Sequence, residues 1–317
     1  MLDELDFTRG AVASKDYVPA LTHFHIRNNT IIGYNGAIAI NAPLELDLNC
    51  SPKAVSFVKA IQACKGGTIQ LHIAPNGKLA IRSGDFLVFI ECIEEGYPDV
   101  KPEGEHIKFG ASILDAMRTL EPFISIDASR PWSRGVLFKG DSAYATNNII
   151  LSEYRLTNKF PKELNVSAEA IQELLRIGRE PETIQIADES VTFHFASGRW
   201  MKAQSLSTRW PDVSKILDRP YNPQKLPERF FTVLRDLLPF INEAEQVRFR
   251  DNKLATASVD DIGASVLFDG IPNGPIFNIK QLLLLEGIVT GIDFSLYPEP
   301  CLFSGKNIRG AIVGMIG

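Results

Sequence analysis

A set of short segments recurs in one fixed order along the chain, and this internal repeat constrains the fold more than any single motif does. Each segment in the first copy has a counterpart in the second, and the three separations agree to within two residues. The paired segments are Thr68-Ile69-Gln70 with Thr183-Ile184-Gln185, Ser83-Gly84 with Ser197-Gly198, and Tyr97-Pro98-Asp99-Val100 with Trp210-Pro211-Asp212-Val213. A weaker third copy contains Ile292-Asp293-Phe294 and Ser304-Gly305.

A repeat period of roughly 100 residues is too long for a solenoid and indicates a duplicated domain. Three such units fill the 317 residues. Segments rich in Pro, Gly and charged residues, near Pro102-Glu103-Gly104 and Pro220-Tyr221-Asn222-Pro223, predict where the units meet. We therefore expect three domains, spanning residues 1–104, 105–222 and 223–317.

Each unit is predicted to contain two copies of one pattern, a helix followed by antiparallel strands, which gives an α+β fold. Capping residues predict helix starts at Ser51, Ser167 and Asn278. A further helix is predicted in front of each of these, and in the first unit it is a short segment, residues 9–17, ended by Pro19. The dipeptide Asn76-Gly77 supplies the positive φ of a tight hairpin turn.

The composition is that of a folded globular chain, with 45% apolar and 22% charged residues. No apolar run reaches the roughly 18 residues of a membrane-spanning helix. The acidic N-terminus lacks the apolar core of a secretion signal. The four cysteines show no C-x-x-C spacing, so we expect each to be a buried small apolar residue. Such free cysteines fit a reducing cytoplasm, and we expect the protein there, or in the host cytoplasm if it is viral.

The sequence does not indicate a catalytic centre. His23 and His25 alternate on a predicted strand, but no third His or Cys lies near them, so a metal site is not expected. The three Ser-Gly pairs lack the G-x-S-x-G pattern of a nucleophile elbow and mark a structural turn. We expect no enzymatic activity, no cofactor and no bound metal.

The repeated segments, in their order and spacing, resemble the β-subunit sliding clamp of bacterial DNA polymerase III. The resemblance covers nearly the whole chain, in residues 21–46, 69–100, 134–156, 166–217 and 277–317. It implies a head-to-tail homodimer whose six similar domains close a ring around double-stranded DNA, with helices inside and sheets outside. It also implies the clamp's function, in which short peptides of a DNA polymerase and a clamp loader bind the ring and replication becomes processive.

The net charge of −5 argues against a general nucleic-acid binder, but a ring can hold DNA if its basic groups face inward. The predicted helix of residues 51–65 has an apolar arc formed by Ala54, Val55, Phe57, Val58 and Ile61. The opposite arc is small and basic, and contains Lys53, Ser56, Lys59, Ala60 and Ala63. A simple solvated face is the alternative interpretation of this pattern.

The resemblance favours the DNA-facing interpretation and extends it beyond this helix. It assigns similar positions to Lys15 in the first unit and to Arg130 and Arg134 in the second. On the second-unit helix, acidic residues share the polar face with the basic ones. The residues expected to face DNA are Lys15, Lys53, Lys59, Arg130, Arg134, Arg176 and Arg179.

The resemblance also implies a shallow apolar pocket for a partner peptide between the second and third domains. Its expected residues are Thr146, Asn148, Ile149, Ile150, Leu151, Pro211, Lys215, Ile216, Val313, Gly314 and Met315. The family usually has Asp-Gly-His-Arg after the Thr, where this chain has Asn147-Asn148-Ile149-Ile150, and the usual Pro-Met-Arg-Leu ending is replaced by residues 313–317. We therefore expect a preference for a more apolar peptide.

In a head-to-tail dimer the first domain of one chain meets the third domain of its partner. The predicted strand of residues 86–93 would pair there with an edge strand of the partner, with Val88, Ile90 and Phe240 as apolar contacts.

A two-domain clamp that assembles as a trimer is disfavoured by the two and a half repeats. A duplicated β-rich structural or interaction protein without DNA function is the alternative from another class. The short first helix, the compact length and the altered pocket point to a divergent clamp, such as one encoded by a bacteriophage.

Overall fold

The computed structural model describes residues 1–65, 67–94, 96–108, 113–207, 209–241, 243–257 and 263–316. The chain divides into two compact units. The first comprises Met1–Gly110 and Glu169–Ser205, and the second comprises Ala111–Ala168 and Leu206–Gly317. Each unit thus contains part of the middle third of the sequence, and the expected boundaries at residues 104 and 222 stay a prediction.

Short helices are distributed along the described part of the chain, and none of them is long and apolar enough to cross a membrane. The α-helices are α1 (Leu2–Thr8), α2 (Ala54–Ala63), α3 (Ile113–Leu120), α4 (Ala168–Ile177), α5 (Ser214–Leu217), α6 (Phe230–Leu237) and α7 (Ile279–Leu283). Single 3₁₀ turns occupy Arg9–Ala11, Pro19–Thr22, Glu121–Phe123, Pro131–Ser133, Ala196–Gly198, Leu238–Phe240 and Phe294–Leu296.

Most of the regular structure is β-strand. The strands of the first half are β1 (His25–Arg27), β2 (Thr30–Tyr34), β3 (Ile38–Pro43), β4 (Ser51–Pro52), β5 (Gln70–Ile73), β6 (Leu79–Ser83), β7 (Phe86–Ile90), β8 (Cys92–Ile93), β9 (Glu105–Lys108), β10 (Gly135–Thr146) and β11 (Ile150–Ser167). Those of the second half are β12 (Thr183–Ile186), β13 (Ser190–His194), β14 (Trp200–Gln204), β15 (Gln224–Lys225), β16 (Gln246–Arg250), β17 (Lys253–Ala255), β18 (Ser265–Leu267), β19 (Ile276–Asn278), β20 (Val289–Ile292), β21 (Cys301–Gly305) and β22 (Ile308–Ile312).

The sequence repeat corresponds to a repeated antiparallel meander. Its copies are β5–β6–β7, β12–β13–β14 and β20–β21–β22, and the helices α2, α4 and α7 precede them. The Ser-Gly pairs lie where the second strand of each meander ends or turns into the third, and Gly84 and Gly198 have positive φ there. The predicted α+β fold, built from helix-plus-strand halves, is confirmed.

All strand pairs in the described residues are antiparallel, and each unit has its own sheets. In the first unit the orders are β1-β2-β3-β14-β13-β12-β9, β5-β6-β7 and β4-β8. In the second unit they are β10-β11-β22-β21-β20-β15 and β18-β17-β16-β19. The two largest sheets therefore combine strands from different sequence repeats, through Ile38 paired with Ala203 and Leu151 paired with Ala311.

Each unit buries its own apolar core. In the first unit Phe24 and Phe57 are fully buried and meet edge to face, with ring centroids 6.4 Å apart. The core of the second unit contains the four buried rings of Phe230, Phe249, Phe277 and Phe294, whose contacting centroids lie 5.1 to 6.3 Å apart. Aromatic pairs in this geometry contribute about 0.5–1.5 kcal/mol beyond their buried area.

Two predicted helix starts differ from the structure. The N-terminal helix is α1, with Leu5 and Phe7 buried, so the helix predicted over residues 9–17 is wrong apart from the 3₁₀ turn at Arg9–Ala11. Ser51 does not cap α2, because it lies in β4 and pairs with β8 while its hydroxyl bonds His25 Nδ1. Asn278 does cap α7, since its Oδ1 accepts hydrogen bonds from the backbone N–H groups of Lys280 and Gln281 at 3.0 and 3.1 Å.

Candidate functional site

The second unit contains a cleft whose rim is set by the turn between β10 and β11. Thr146 Oγ1 donates to the Ile150 carbonyl at 2.7 Å, and Asn147 Oδ1 accepts from the backbone N–H of Ile150 at 2.8 Å. Asn148 has a φ of 73°, a left-handed conformation that Asn tolerates better than most residues. This turn presents the Ile149 side chain to solvent and buries Ile150 completely.

The opposite wall follows Trp210. Asp212 Oδ1 accepts from the N–H of Ser214 at 3.1 Å and thereby starts α5. That helix holds Ile216 partly exposed above the cleft. Beneath it, Trp132 and Trp210 pack at a centroid distance of 5.0 Å and an interplanar angle of 67°. Leu137, Leu151 and Leu217 form a buried apolar cluster with Trp210, and Leu151 and Trp132 line the cleft.

The cleft has a volume of about 170 Å³. Of the residues predicted for the partner pocket, it is lined by Thr146, Asn148, Ile149, Ile150, Leu151, Pro211, Ile216 and Val313. The sequence prediction missed five further lining residues, namely Arg130, Trp132, Val213, Pro300 and Ala311. Val213 belongs to the repeated Trp-Pro-Asp-Val segment, so its recurrence was a usable signal for it.

Three predicted pocket residues do not line the cleft. Met315 is held elsewhere, since its N–H donates to the Ile276 carbonyl at 2.7 Å and its own carbonyl accepts from the Tyr297 hydroxyl at 2.6 Å. Gly314 lies so close to Tyr297 that a Cβ would come within 2.5 Å of the ring. Lys215 is exposed on α5 and is absent from the cleft lining among the described residues. Gly314 and Met315 therefore anchor the tail next to the cleft and do not form its wall.

Arg130 was expected to face DNA, but it lies at the rim of this cleft. Its Nη1 donates to Asn148 Oδ1 at 2.8 Å, and Asn148 Nδ2 in turn donates to Ser125 Oγ at 3.2 Å. The cleft thus has an apolar floor and a cation at one edge. Arg134 lies just beyond, exposed at the end of the 3₁₀ turn Pro131–Ser133.

The first unit exposes the three lysines predicted to face DNA. Lys15 lies in a bend that Asp16 stabilises by accepting the N–H of Val18 at 2.8 Å. Lys53 directly precedes α2, and Lys59 projects from that helix. The predicted faces of α2 need one correction, because Val55 is exposed and Ala60 is buried. The exposed face still contains no acidic residue.

Arg176 on α4 is engaged within the first unit. Its guanidinium forms a bidentate pair with the buried Glu173 carboxylate and also donates to the carbonyls of Asp6 and Phe7, both at 2.8 Å. Gly10 leaves the space for that carboxylate, since a Cβ there would come within 2.0 Å of Glu173 Oε1. These contacts tie α1 to α4, so Arg176 has a structural role that the sequence did not reveal.

Replacing Arg176 with Ala should lower the unfolding free energy by about 2–4 kcal/mol, because it leaves a buried carboxylate without its partner. Arg179, two residues beyond the end of that helix, is a matched control. Its side chain is half exposed and pairs with Asp3 at 3.1 Å, and loss of such a surface pair costs about 0–1 kcal/mol. Urea unfolding of both variants tests this. Equal midpoints for the two variants would contradict the structural role of Arg176.

The expected dimer contacts Val88 and Ile90 lie on β7, the edge strand of the three-stranded sheet, but the exposed side chains of this strand are on its other face. Ile90 is only 2% exposed and belongs to the chain's own core, so it cannot contact a partner. On β7 the exposed apolar side chains are Leu87 and Phe89, with Val88 half-buried. In the second unit Phe240 is exposed as expected, and Leu267 on the edge strand β18 is 74% exposed.

The two histidines considered as metal ligands have protein partners. His23 Nδ1 lies 2.7 Å from the Pro19 carbonyl oxygen, and His25 stacks on Tyr97 with ring centroids 5.0 Å apart. Burial lowers the pKa of His25. No group of three or more His, Cys, Asp or Glu side chains is arranged to hold a metal ion in the described part of the chain.

Comparison with known proteins identifies the fold. No family model matches the sequence, and no curated protein matches it either. Solved structures do match across the whole chain. They include the DNA polymerase sliding clamp of Bacillus subtilis, with 17% identity and a TM-score of 0.83. The DNA polymerase III β subunit of Thermotoga maritima has 15% identity and a TM-score of 0.84. The sliding clamp of Bartonella birtlesii, bound to griselimycin, has 13% identity and a TM-score of 0.85.

In each case the match covers 100% of this chain and 97% of the other. Such an identity is too low to transfer individual site residues, whereas the complete coverage leaves no part of the architecture unmatched. The chain therefore has the fold of the DNA polymerase III β-subunit sliding clamp.

Proposed function

We propose that this protein is a DNA sliding clamp that encircles double-stranded DNA, tethers a DNA polymerase and has no catalytic activity of its own. The observation that carries the proposal is the sheet architecture. Each of the two largest sheets combines strands from different repeats, and the two smaller multi-stranded sheets end in edge strands β7 and β18. A second copy of the chain can extend these two sheets by pairing its strands with β7 and β18.

The exposed edges favour a symmetric homodimer. An unpaired edge strand with apolar side chains readily pairs with another chain. Pairing β7 of one protomer with β18 of its partner would place Leu87 and Phe89 near the partner's Leu267, and would join a three-stranded to a four-stranded sheet. Two such contacts in a head-to-tail pair close the assembly and pair the β7 and β18 edges of both protomers.

The charge distribution suits a ring that slides. The net charge is −5, and yet the exposed face of α2 has Lys59 and no acidic residue, with Lys53 at its start and Lys15 in an exposed bend. Diffuse attraction to phosphates gives sequence-independent binding. We propose Lys15, Lys53, Lys59, Arg134 and Arg179 as DNA-facing residues because their side chains are exposed. We omit Arg176, which holds the buried Glu173 carboxylate, and Arg130, which lies at the rim of the cleft.

A topological experiment tests the clamp function directly. Linear DNA is ligated into circles in the presence of the protein, washed at high salt, and then cut once. A ring is retained on the circles and released by the cut, whereas a protein bound to the DNA surface behaves alike on both forms. Solution mass should be about 70 kDa, twice the 35.1 kDa of the chain. Equal retention on circular and linear DNA would exclude a closed ring.

We propose that the cleft beneath Ile149 and Ile216 receives an extended peptide of the polymerase or clamp loader. Its apolar floor suits one or two large anchors such as Leu and Phe, and Arg130 at the rim suits a nearby acidic group of the peptide. Of the unusual Ile149-Ile150 pair, Ile149 is exposed and Ile150 is fully buried, so the expected increase in apolar preference depends mainly on Ile149.

Replacing Ile149 and Ile216 together with Asp should weaken binding of a synthetic Leu- and Phe-containing peptide by tenfold or more. Each anchor buried against them is worth roughly 1.5–3 kcal/mol. Calorimetry measures the change, and Lys215→Ala serves as control because Lys215 lies on the same helix as Ile216 but outside the cleft. Unchanged affinity in the Asp variant, with the fold intact, would place the peptide elsewhere.

A further inference from the structure

Two of the four cysteines lie side by side in the first unit. Pro52 on β4 pairs with Cys92 on β8, so Cys50, two residues before Pro52, projects from the same face of the ladder as Cys92. The two thiols occupy diagonal positions of this ladder and are near enough to affect each other's acidity, and the Cys92 S–H points to the Ile90 carbonyl at 3.9 Å. The expectation that every cysteine is buried is wrong, because only Cys301 is buried and the other three are half-buried.

Cys92 opens onto a cleft of about 320 Å³ that is separate from the apolar cleft of the second unit. The titratable groups around it are His23, Lys53, Lys78, Glu91 and Glu94. Two lysines and two carboxylates nearly balance in charge, so the local field is not what sets the acidity of the thiol. A small polar reagent can reach the sulfur through this opening.

The contact between the two thiols gives them different acidities. The hydrogen bond from Cys50 lowers the pKa of Cys92 to about 7, against the opposing effect of burial, and the backbone N–H of Leu79 lowers it further. The same contact, together with burial, raises the pKa of Cys50. At neutral pH Cys92 is therefore about half ionised while Cys50 keeps its proton, and Cys92 rather than Cys50 lines the cleft, which is the arrangement of an attacking and a resolving thiol.

We propose that Cys92 is a reactive modification site for hydroperoxides and that Cys50 resolves the product as a reversible intramolecular disulfide. The Cys92 thiolate attacks one peroxide oxygen, an S–O bond forms, the O–O bond breaks, and the leaving hydroxide takes up a proton as water. The Cys50 sulfur then attacks the Cys92 sulfenic acid, an S–S bond forms, and the S–O bond breaks with loss of a second water. Two thiols and one hydrogen peroxide thus give one disulfide and two waters.

Alkylation of the folded, full-length chain tests the reactivity, with two other cysteines as internal controls. Cys64 is half-buried at the end of α2 and donates to the Ala60 carbonyl, and Cys301 is buried. With isotope-coded iodoacetamide at pH 7, Cys92 should react about threefold faster than an ordinary thiol, since a larger thiolate fraction outweighs the lower nucleophilicity. Its rate should have a midpoint near pH 7, and Cys50→Ala should shift that midpoint upward.

Hydrogen peroxide tests the second step. The expected product is a cross-linked peptide pair containing Cys50 and Cys92, which dithiothreitol separates again. In Cys50→Ala, peroxide should instead drive Cys92 to sulfinic acid, because no resolving thiol is present. The proposal is overturned if Cys92 reacts no faster than Cys64 at any pH, or if peroxide leaves Cys50 and Cys92 unlinked in the wild-type chain. Neither outcome depends on DNA binding, so this test is independent of the proposed clamp function.

Discussion

Replacing Phe89 and Leu267 together with Asp is expected to turn the proposed dimer into monomers. Phe89 is 51% exposed on β7 and Leu267 is 74% exposed on β18, and both lie on edge strands of their sheets. Burying one such side chain at an interface is worth roughly 1.5–3 kcal/mol, so losing both should raise the dimer dissociation constant on the order of 100-fold or more. Sedimentation equilibrium over a concentration series measures this directly.

A matched control separates the interface from a general effect of surface charge. Ile126 is 98% exposed in the second unit but lies outside the strands. Ile126→Asp should therefore leave the dissociation constant unchanged. A double variant that remains dimeric, or an Ile126 variant that dissociates to the same extent, would show that β7 and β18 do not form the contact.

Replacing Lys15, Lys53 and Lys59 with Glu is expected to abolish retention on circular DNA at moderate salt while leaving the fold intact, since all three side chains are exposed. Each lost phosphate contact should reduce the slope of log affinity against log salt by about one, so the triple variant should lose about three. The measurement is retention on ligated circles across a salt series.

The control for this variant must change the net charge equally. Lys215, Lys225 and Lys306 are also exposed, and they lie on α5, on β15 and between β21 and β22. Replacing these three with Glu should leave the salt slope close to that of the wild type. If both triple variants lose retention alike, the effect is one of total charge and the assignment of Lys15, Lys53 and Lys59 fails.

Local features of this fold could be predicted from the sequence because their causes are local. Asn278 caps its helix with its own side chain, and Gly77 has the positive φ that the Asn76-Gly77 pair predicted. Because each repeat folds into the same helix and meander, the repeated segments also predicted the architecture. The apolar cleft was expected from the resemblance, and eight of the residues it implied line the cleft, among them Ile149, Leu151 and Ile216.

Features that depend on strand register or on distant neighbours could not be predicted in this way. A shift of one residue exchanges the two faces of a strand, which is why Phe89 and not Ile90 is exposed on β7. The structural role of Arg176 requires the carbonyls of Asp6 and Phe7, which are distant in sequence. Met315 was assigned to the cleft from its place in the tail, whereas its contacts with Tyr297 and Ile276 are tertiary.

The pairing of β3 with β14 and of β11 with β22 has a consequence for how the chain acquires its structure. Both pairs join strands that are far apart in the sequence, so the largest sheets of both units form only after long loops have closed. Folding rates fall as such distant contacts come to dominate. We therefore expect slow folding, and we expect a polypeptide cut at the predicted boundary, residue 104, to leave the edge of β3 unpaired and to aggregate.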